Sequence, residues 1–273
     1  MTDVASYKHA LTQHFDARVT YGRGTPQSPL VDRVLQLFPP RPNERVLDIA
    51  TGTAFIAIRV AELVGLSGEV IGVDLSSGML ERAREAASGM AGRANLRFLC
   101  ADAENLPPDL GTFDRIYCAN AMPYLTDISG TLWQWRNLLK PGGALAFNCW
   151  RSPSYATGQL LREVAGRHGI RVAEVGALTG TPERCRTLLE AAGYEDVEIV
   201  IDPTHHYVRP EHLANYVDTA LDNPLYGIQL DDVPKLALLR EEYREALRSR
   251  EFQESLTAEC GAYFVSAKNV AAP

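Results

Sequence analysis

Basic residues are the minority charge: 27 Lys and Arg stand against 34 Asp and Glu, a formal balance of −7. That excludes a protein built to wrap a nucleic-acid duplex, which carries a basic surplus or a basic stripe. Long apolar runs are missing as well. None approaches the ~18 residues of a spanning helix, and Met1 to Ala10 shows no basic-then-apolar leader pattern. A cytoplasmic protein with no membrane insertion is therefore expected. Cysteine is scarce and scattered: Cys100, Cys118, Cys149, Cys185 and Cys260 are odd in number and far apart. This fits reduced, buried thiols and excludes a disulfide framework or a C-x-x-C metal site. Repeats and low-complexity tracts are also absent.

What is present is the composition of an ordinary globular chain, with 46% apolar and 22% charged residues over 273 positions. That length is enough to bury a core without staples. Short apolar runs recur: Arg45 to Ala50, Glu69 to Asp74, Asn95 to Cys100, Phe113 to Ala119 and Gly143 to Trp150. Between them lie helical patterns. Ala57, Val60, Ala61 and Val64 share one face, as do Met79, Leu80, Ala83 and Ala87 behind a capping Ser76. Asp127 can cap a helix carrying Leu132, Trp135, Leu138 and Leu139, which stops at Lys140-Pro141-Gly142-Gly143. Near-continuous apolar strands alternating with helices imply a parallel sheet covered on both faces.

Downstream, Thr181 and Pro182 open a helix, Val197, Ile199 and Ile201 alternate as a strand, and Ala262 to Ala267 supplies a seventh strand. The expected fold is a doubly wound, seven-stranded, mostly parallel α/β sheet. Residues 1–40 form an N-terminal helical cap segment, 41–208 and 257–273 the core, and 209–256 a helical lid or substrate insertion. In that insertion Leu236, Leu239, Tyr243 and Leu247 make one apolar stripe facing a core.

Ligands of such sheets bind at the carboxyl ends of the strands, where strand order reverses. The first strand ends in Asp48, followed by the small-residue turn Ala50-Thr51-Gly52-Thr53-Ala54 leading into a helix start. Small side chains there let a ligand approach the backbone, and the helix start offers N–H groups. The second strand delivers Asp74-Leu75 and the third Asp102-Ala103. Plainer readings stand beside these: Asp48 as a solvated strand end, Asp74 as a helix-start carboxylate, Asp102 as a turn former.

Taken in order, these motifs resemble the class I S-adenosylmethionine-dependent methyltransferases, in particular the ubiquinone/menaquinone-biosynthesis-like and small-molecule natural-product subgroup. The family's acidic residue and x-G-x-G-x-G turn correspond to Asp48 with Ala50, Gly52 and Ala54, so only the middle glycine is kept. Its second motif corresponds to Asp74-Leu75-Ser76, its third to Ala101-Asp102-Ala103. Phe113-Asp114 and Leu138 to Gly143 complete the match. The resemblance implies that Asp48 serves the methionine amino group of S-adenosyl-L-methionine, Asp74 the ribose diol and Asp102 the adenine amine. Leu75, Ala103, Asn120 and Tyr21 are the further cofactor contacts it implies. The methyl at Ala54 is expected to tighten the space beside the adenosine.

The implied activity is methyl transfer to O, N or C of a small-molecule, quinone-like or secondary-metabolite acceptor, with a homodimer allowed and no metal required. Aligning a nucleophile with the methyl group and excluding water is most of that task, and a base, most often His, serves an acceptor that arrives protonated. His205 and His206 are the candidate bases, and Tyr124, Trp150 and Tyr207 the candidate substrate contacts. The histidine pair reads equally well as packing at the start of the insertion. Tyr7, His14 and Phe15 supply further polar and aromatic groups near the N-terminus. Two alternatives remain open: a cofactor-binding protein that transfers no methyl, and a nicotinamide-dependent oxidoreductase. The second needs G-x-G-x-x-G after the first strand, and Ala50 to Phe55 lacks two of the three glycines.

Overall fold

The computed structural model describes residues 3–18, 28–88, 94–150, 156–174, 176–202, 217, 220–228, 232–249, 252 and 262–270. Seven strands form one sheet: β1 (Arg45–Ile49), β2 (Glu69–Asp74), β3 (Leu96–Cys100), β4 (Phe113–Cys118), β5 (Leu139–Trp150), β6 (Glu195–Asp202) and β7 (Ala262–Lys268). The order across the sheet is β3-β2-β1-β4-β5-β7-β6. All pairs among β1 to β5 are parallel, whereas β7 runs antiparallel between β5 and β6. Strand order therefore reverses between β1 and β4, which places the binding crevice at their carboxyl ends.

The alternation of side chains along β1 divides the core. Leu47 and Ile49 face one cluster with Ile71, Trp135 and Leu189, and Val46 faces a second with Val70, Ala57, Val60 and Phe264. The described helices are α1 (Val4–Asp16), α2 (Ser28–Leu37), α3 (Phe55–Val64), α4 (Ser77–Ser88), α5 (Ile128–Asn137), α6 (Ala156–Arg167), α7 (Pro182–Ala191) and α8 (Val233–Arg248). Their caps follow the sequence: Asp127 accepts from Gly130 N, Thr181 from Arg184 N, and the Ser76 hydroxyl from Met79 N at 2.9 Å. None of the described helices is long and apolar enough to cross a membrane.

Three expectations need adjustment. The helix before β5 ends at Asn137, and Leu139 to Gly143 belong to the strand, with Leu139 paired to Phe113 and a register shift before Arg115. The Pro-Gly-Gly run acts inside the strand as an irregularity and not as the helix stop, because Leu139 is drawn into the sheet by its pairing partner. The helical layer is also wider than residues 209–256. Leu239, Tyr243 and Leu247 of α8 pack with Leu161 and Val164 of α6, forming a third buried cluster. Leu161, Val164 and Ala165 of α6 do keep helical spacing, but the pattern is short and bounded by Gly158 and Gly166, which obscured the helix. Finally, Cys118, Cys149 and Cys185 are buried, but Cys100 at the sheet edge is exposed.

Candidate active site

The turn after β1 is a backbone contortion before it is a binding site. Ala50, Gly52 and Ala54 have φ of 53°, 54° and 66°, all left-handed. Gly52 adopts this at no steric cost, whereas each alanine is strained there. The turn is held by Asp48, 2% exposed, whose Oδ2 accepts the Thr51 hydroxyl at 2.6 Å and the Ala57 N–H at 3.1 Å. Gly52 N–H then donates to Asp74 Oδ2 at 2.8 Å, and Ser76 N–H to Asp74 Oδ1 at 2.9 Å. Burial pushes the Asp48 carboxyl up to about 7, partly opposed by the Thr51 and Ala57 hydrogen bonds, with the Asp74 charge adding to the rise. Burial raises Asp74 as well. These two carboxylates are thus poised to gain from a cation beside them.

A cleft with about 1170 Å³ of empty space, part of it open to solvent, lies above the carboxyl ends of β1, β2, β3 and β4. Asp48, Ala50, Gly52, Asp74, Leu75, Asp102, Ala103, Asn120 and Tyr124 all line it. Trp150 is not among its walls; it packs at the end of β5 against the cluster under α2 and α3. Ala54 is fully buried in that same cluster, so its methyl points into the core and not beside a ligand. Tyr21, His205, His206 and Tyr207 lie outside the described residues.

Several residues that organise the cleft escaped the sequence reading. Lys8 Nζ bridges Asp102 Oδ2 at 2.6 Å and Glu104 Oε2 at 2.7 Å. Asp16 accepts the Ser76 hydroxyl at 2.5 Å and the Gly78 N–H at 3.0 Å. Asn148, 1% exposed, receives the Asn120 N–H on its Oδ1 and donates its own amide to Asn120 Oδ1 at 2.8 Å. This pair supports Asn120 in its left-handed conformation, φ 58°, which Asn tolerates better than most residues, and leaves the Asn120 NH₂ available to the cleft. Trp135 donates its indole N–H to the Ala103 carbonyl at 2.9 Å, fixing the loop after β3. Only Lys8 left a usable trace in the sequence: it shares a helical face with Leu11 and Phe15.

The groups present fit an adenosylmethionine. Carboxylates end three adjacent strands, matching an amine, a ribose diol and an exocyclic amine. The turn opens the N-terminus of α3, and the Thr53 hydroxyl on that turn is buried with no hydrogen-bond partner among the described residues, which suits it to a polar ligand group.

Comparison with known proteins agrees. A methyltransferase-domain family model matches residues 46–143. The chain is 34% identical over 157 residues to the aklanonic acid methyltransferase DauC of a Streptomyces species, an alignment covering 56% of this chain and 70% of that protein. It is 31% identical over 174 residues to the ubiquinone/menaquinone biosynthesis C-methyltransferase UbiE of Idiomarina loihiensis, covering 58% and 69%. Among solved structures, the cyclase SpnF superposes with a TM-score of 0.60 at 22% identity, covering 90% of this chain and 82% of SpnF. The phosphoethanolamine N-methyltransferase 2 of Haemonchus contortus, crystallised with S-adenosyl-L-methionine, gives 0.57 at 18%, covering 98% and 57%. At these identities the structural likenesses bear on the fold alone. The fold and site define an adenosylmethionine-dependent transferase. The chain belongs to the methyltransferase-domain family of S-adenosylmethionine-dependent methyltransferases.

Proposed function

We propose that this enzyme methylates a flat, weakly polar aromatic acceptor of the quinone or polyketide kind. The observation that carries this reading is the apolar wall of the cleft beside Asn120. There the Phe15 and Tyr124 rings meet edge to face at 5.4 Å, flanked by Leu11 and Leu125, with the carboxylates gathered at the strand ends. Such rings favour a planar acceptor. Relatives named for aklanonic acid and for ubiquinone and menaquinone biosynthesis support the same class.

When bound, S-adenosylmethionine supplies an electrophilic methyl group on a sulfonium. Asp48 is read as holding the methionine amino group, Asp74 the ribose hydroxyls and Asp102 the adenine amine, with Leu75, Ala103, Asn120 and Tyr21 completing the surround. Tyr124 and Tyr207 position the acceptor. Trp150, turned to the other cluster, supports this role least. His205 or His206 is the proposed base. Residues 209–256, with the 1–40 cap segment, serve as lid over the core of residues 41–208 and 257–273. The reading extends to a cytoplasmic enzyme acting on no nucleic acid, in keeping with the −7 formal charge, and to a homodimer.

The test is transfer of labelled methyl from the cofactor into a panel of hydroxylated naphthoquinones and anthraquinones, alongside phosphorylated amines as a contrasting class. Label in the aromatic set supports the proposal. Label confined to the amines overturns the acceptor class, and cofactor binding with no transfer to any metabolite in a cell extract overturns methyl transfer itself. The base assignment predicts separable effects: His205→Ala or His206→Ala lowers turnover by roughly a hundredfold while cofactor affinity stays near wild type.

A further inference from the structure

Helix α1 presents Lys8, Leu11, Thr12 and Phe15 to the cleft, one continuous face at i, i+3, i+4 and i+7. Polar attachments at both ends tie that helix to the sheet edge, beside the Arg82 bond to the Phe15 carbonyl at 3.1 Å and the Tyr7 bond to the Tyr124 carbonyl at 3.3 Å. At one end the Lys8 ammonium spans Asp102 and Glu104 at 2.6 and 2.7 Å. At the other, Asp16 accepts from the Ser76 hydroxyl and the Gly78 N–H, at the start of α4 just after Asp74. Glu104 is itself fixed, its Oε1 accepting the backbone N–H groups of Thr126 and Asp127 at 2.8 and 2.6 Å.

We propose that Lys8 is a positioning residue which clasps α1 over the cofactor site by bridging Asp102 and Glu104. Asp102 Oδ1 accepts the Glu104 N–H at 3.0 Å and its Oδ2 the ammonium at 2.6 Å. A carboxylate has about four lone-pair sites, so Asp102 has capacity for an adenine amine while Lys8 stays in place. The clasp and the cofactor then share one carboxylate and stabilise each other. The side chains of Lys8 and Glu104 are 20% and 10% exposed, so the bridge is sheltered from solvent screening in a way a surface ion pair is not. Burial works against the ammonium, and Asp102 and Glu104 overcome it, holding Lys8 above its ordinary pKa. Without Lys8, Asp102 and Glu104 face each other across a half-buried pocket with no cation between them. α1 then keeps its Asp16 attachment, the Arg82 bond to the Phe15 carbonyl and the Tyr7 bond to the Tyr124 carbonyl, but loses its ionic tie to the loop after β3, and cofactor exchange beneath it becomes easier.

The inference rests on cofactor binding at Asp74 and Asp102, and the experiment separates the two. Wild type, Lys8→Met and Lys8→Arg are compared by hydrogen exchange of α1 in cofactor-free protein and by the dissociation rate of S-adenosylhomocysteine in a displacement assay. The clasp predicts that Lys8→Met speeds both α1 exchange and cofactor release by about tenfold, the equivalent of one lost charge-assisted bond after screening. Lys8→Arg should restore both to within about threefold, because guanidinium can also bridge two carboxylates. Lys8→Met should act mainly on the KM for S-adenosylmethionine and less on the transfer rate at saturating cofactor, and Lys8→Arg should bring that KM back toward wild type. Wild-type release and exchange in Lys8→Met would overturn the clasp, and so would a Lys8→Arg variant as loose as Lys8→Met. Failure of wild type to bind S-adenosylhomocysteine would instead overturn the cofactor site.

Discussion

Gly52 donates its backbone N–H to Asp74 Oδ2 at 2.8 Å, so the turn after β1 and the end of β2 are joined by the carboxylate assigned to the ribose. The site is therefore partly assembled before any ligand arrives. Asp74 orders the Gly52 turn through one oxygen and the start of α4 through the other, which receives Ser76 N–H.

Protonation should couple to cofactor binding through Asp48. Burial holds its carboxyl near 7 in the free chain, and a bound cation favours the carboxylate form. Below about pH 7, binding must then expel a proton, and affinity should fall toward tenfold per pH unit. Calorimetry in buffers of different ionisation enthalpy measures the proton count. An Asp48→Asn variant should bind more weakly but with a flat pH profile between about pH 5.5 and 7.5. The raised pKa also means that Asp48 loses stability for the chain as pH climbs from about 4 toward 7, so the stability of Asp48→Asn relative to wild type should improve over that interval.

His14 acts in the opposite direction. Burial, aided by the Arg18 charge, lowers it to about 4, and its Nε2 is buried without a partner among the described residues. A depressed histidine pKa means that the unfolded chain binds more protons between about 4 and 6.5, so stability is lost as pH falls through that window. A His14→Leu variant lacks this loss. The difference in unfolding free energy should move in the variant's favour by about 1–2 kcal/mol at pH ~4.5, allowing for the ring's partial exposure. A constant difference across the range would refute the assignment.

The two left-handed alanines should respond differently to glycine. At Ala50, partly exposed at the cleft, glycine relieves a strain of about 1–2 kcal/mol per left-handed residue and should give a net gain of about 0.5–1 kcal/mol after its entropic cost. At Ala54 the lost methyl is fully buried, and about 0.8 kcal/mol of burial offsets the relief, so Ala54→Gly should be close to neutral. Denaturant unfolding of both variants decides this.

Interior placement of β7 makes the last strand structural. Phe264 is fully buried and paired between Asn148 of β5 and Val200 of β6. A Phe264→Ala change should cost about 3–5 kcal/mol of unfolding free energy; a loss under about 1 kcal/mol would argue against this topology.

The strands and most helices were legible because they are local patterns: four consecutive buried residues in β1, an i, i+3, i+4 stripe in α3, side-chain caps on α5 and α7. The strand-end aspartates were legible because parallel topology fixes where strand ends meet. Lys8 with Glu104, Asp16 with Ser76, and Asn120 with Asn148 were not, since each pair joins residues 28 or more apart through side chains. No periodicity encodes such a meeting. The direction of the Ala54 methyl was likewise hidden, because a left-handed φ turns a side chain away from where a glycine motif alone would place it.

The most direct test of the account is the affinity of S-adenosylmethionine for wild type and for Asp74→Ala, measured by calorimetry at one pH and salt concentration. Removing a carboxylate that accepts hydrogen bonds from two hydroxyls, each worth about 1.5–3 kcal/mol, predicts binding weakened tenfold or more. The variant should remain folded by circular dichroism, and neither protein should bind NADH tightly. Unchanged adenosylmethionine affinity in a folded Asp74→Ala protein would contradict the assignment of this strand end to the cofactor.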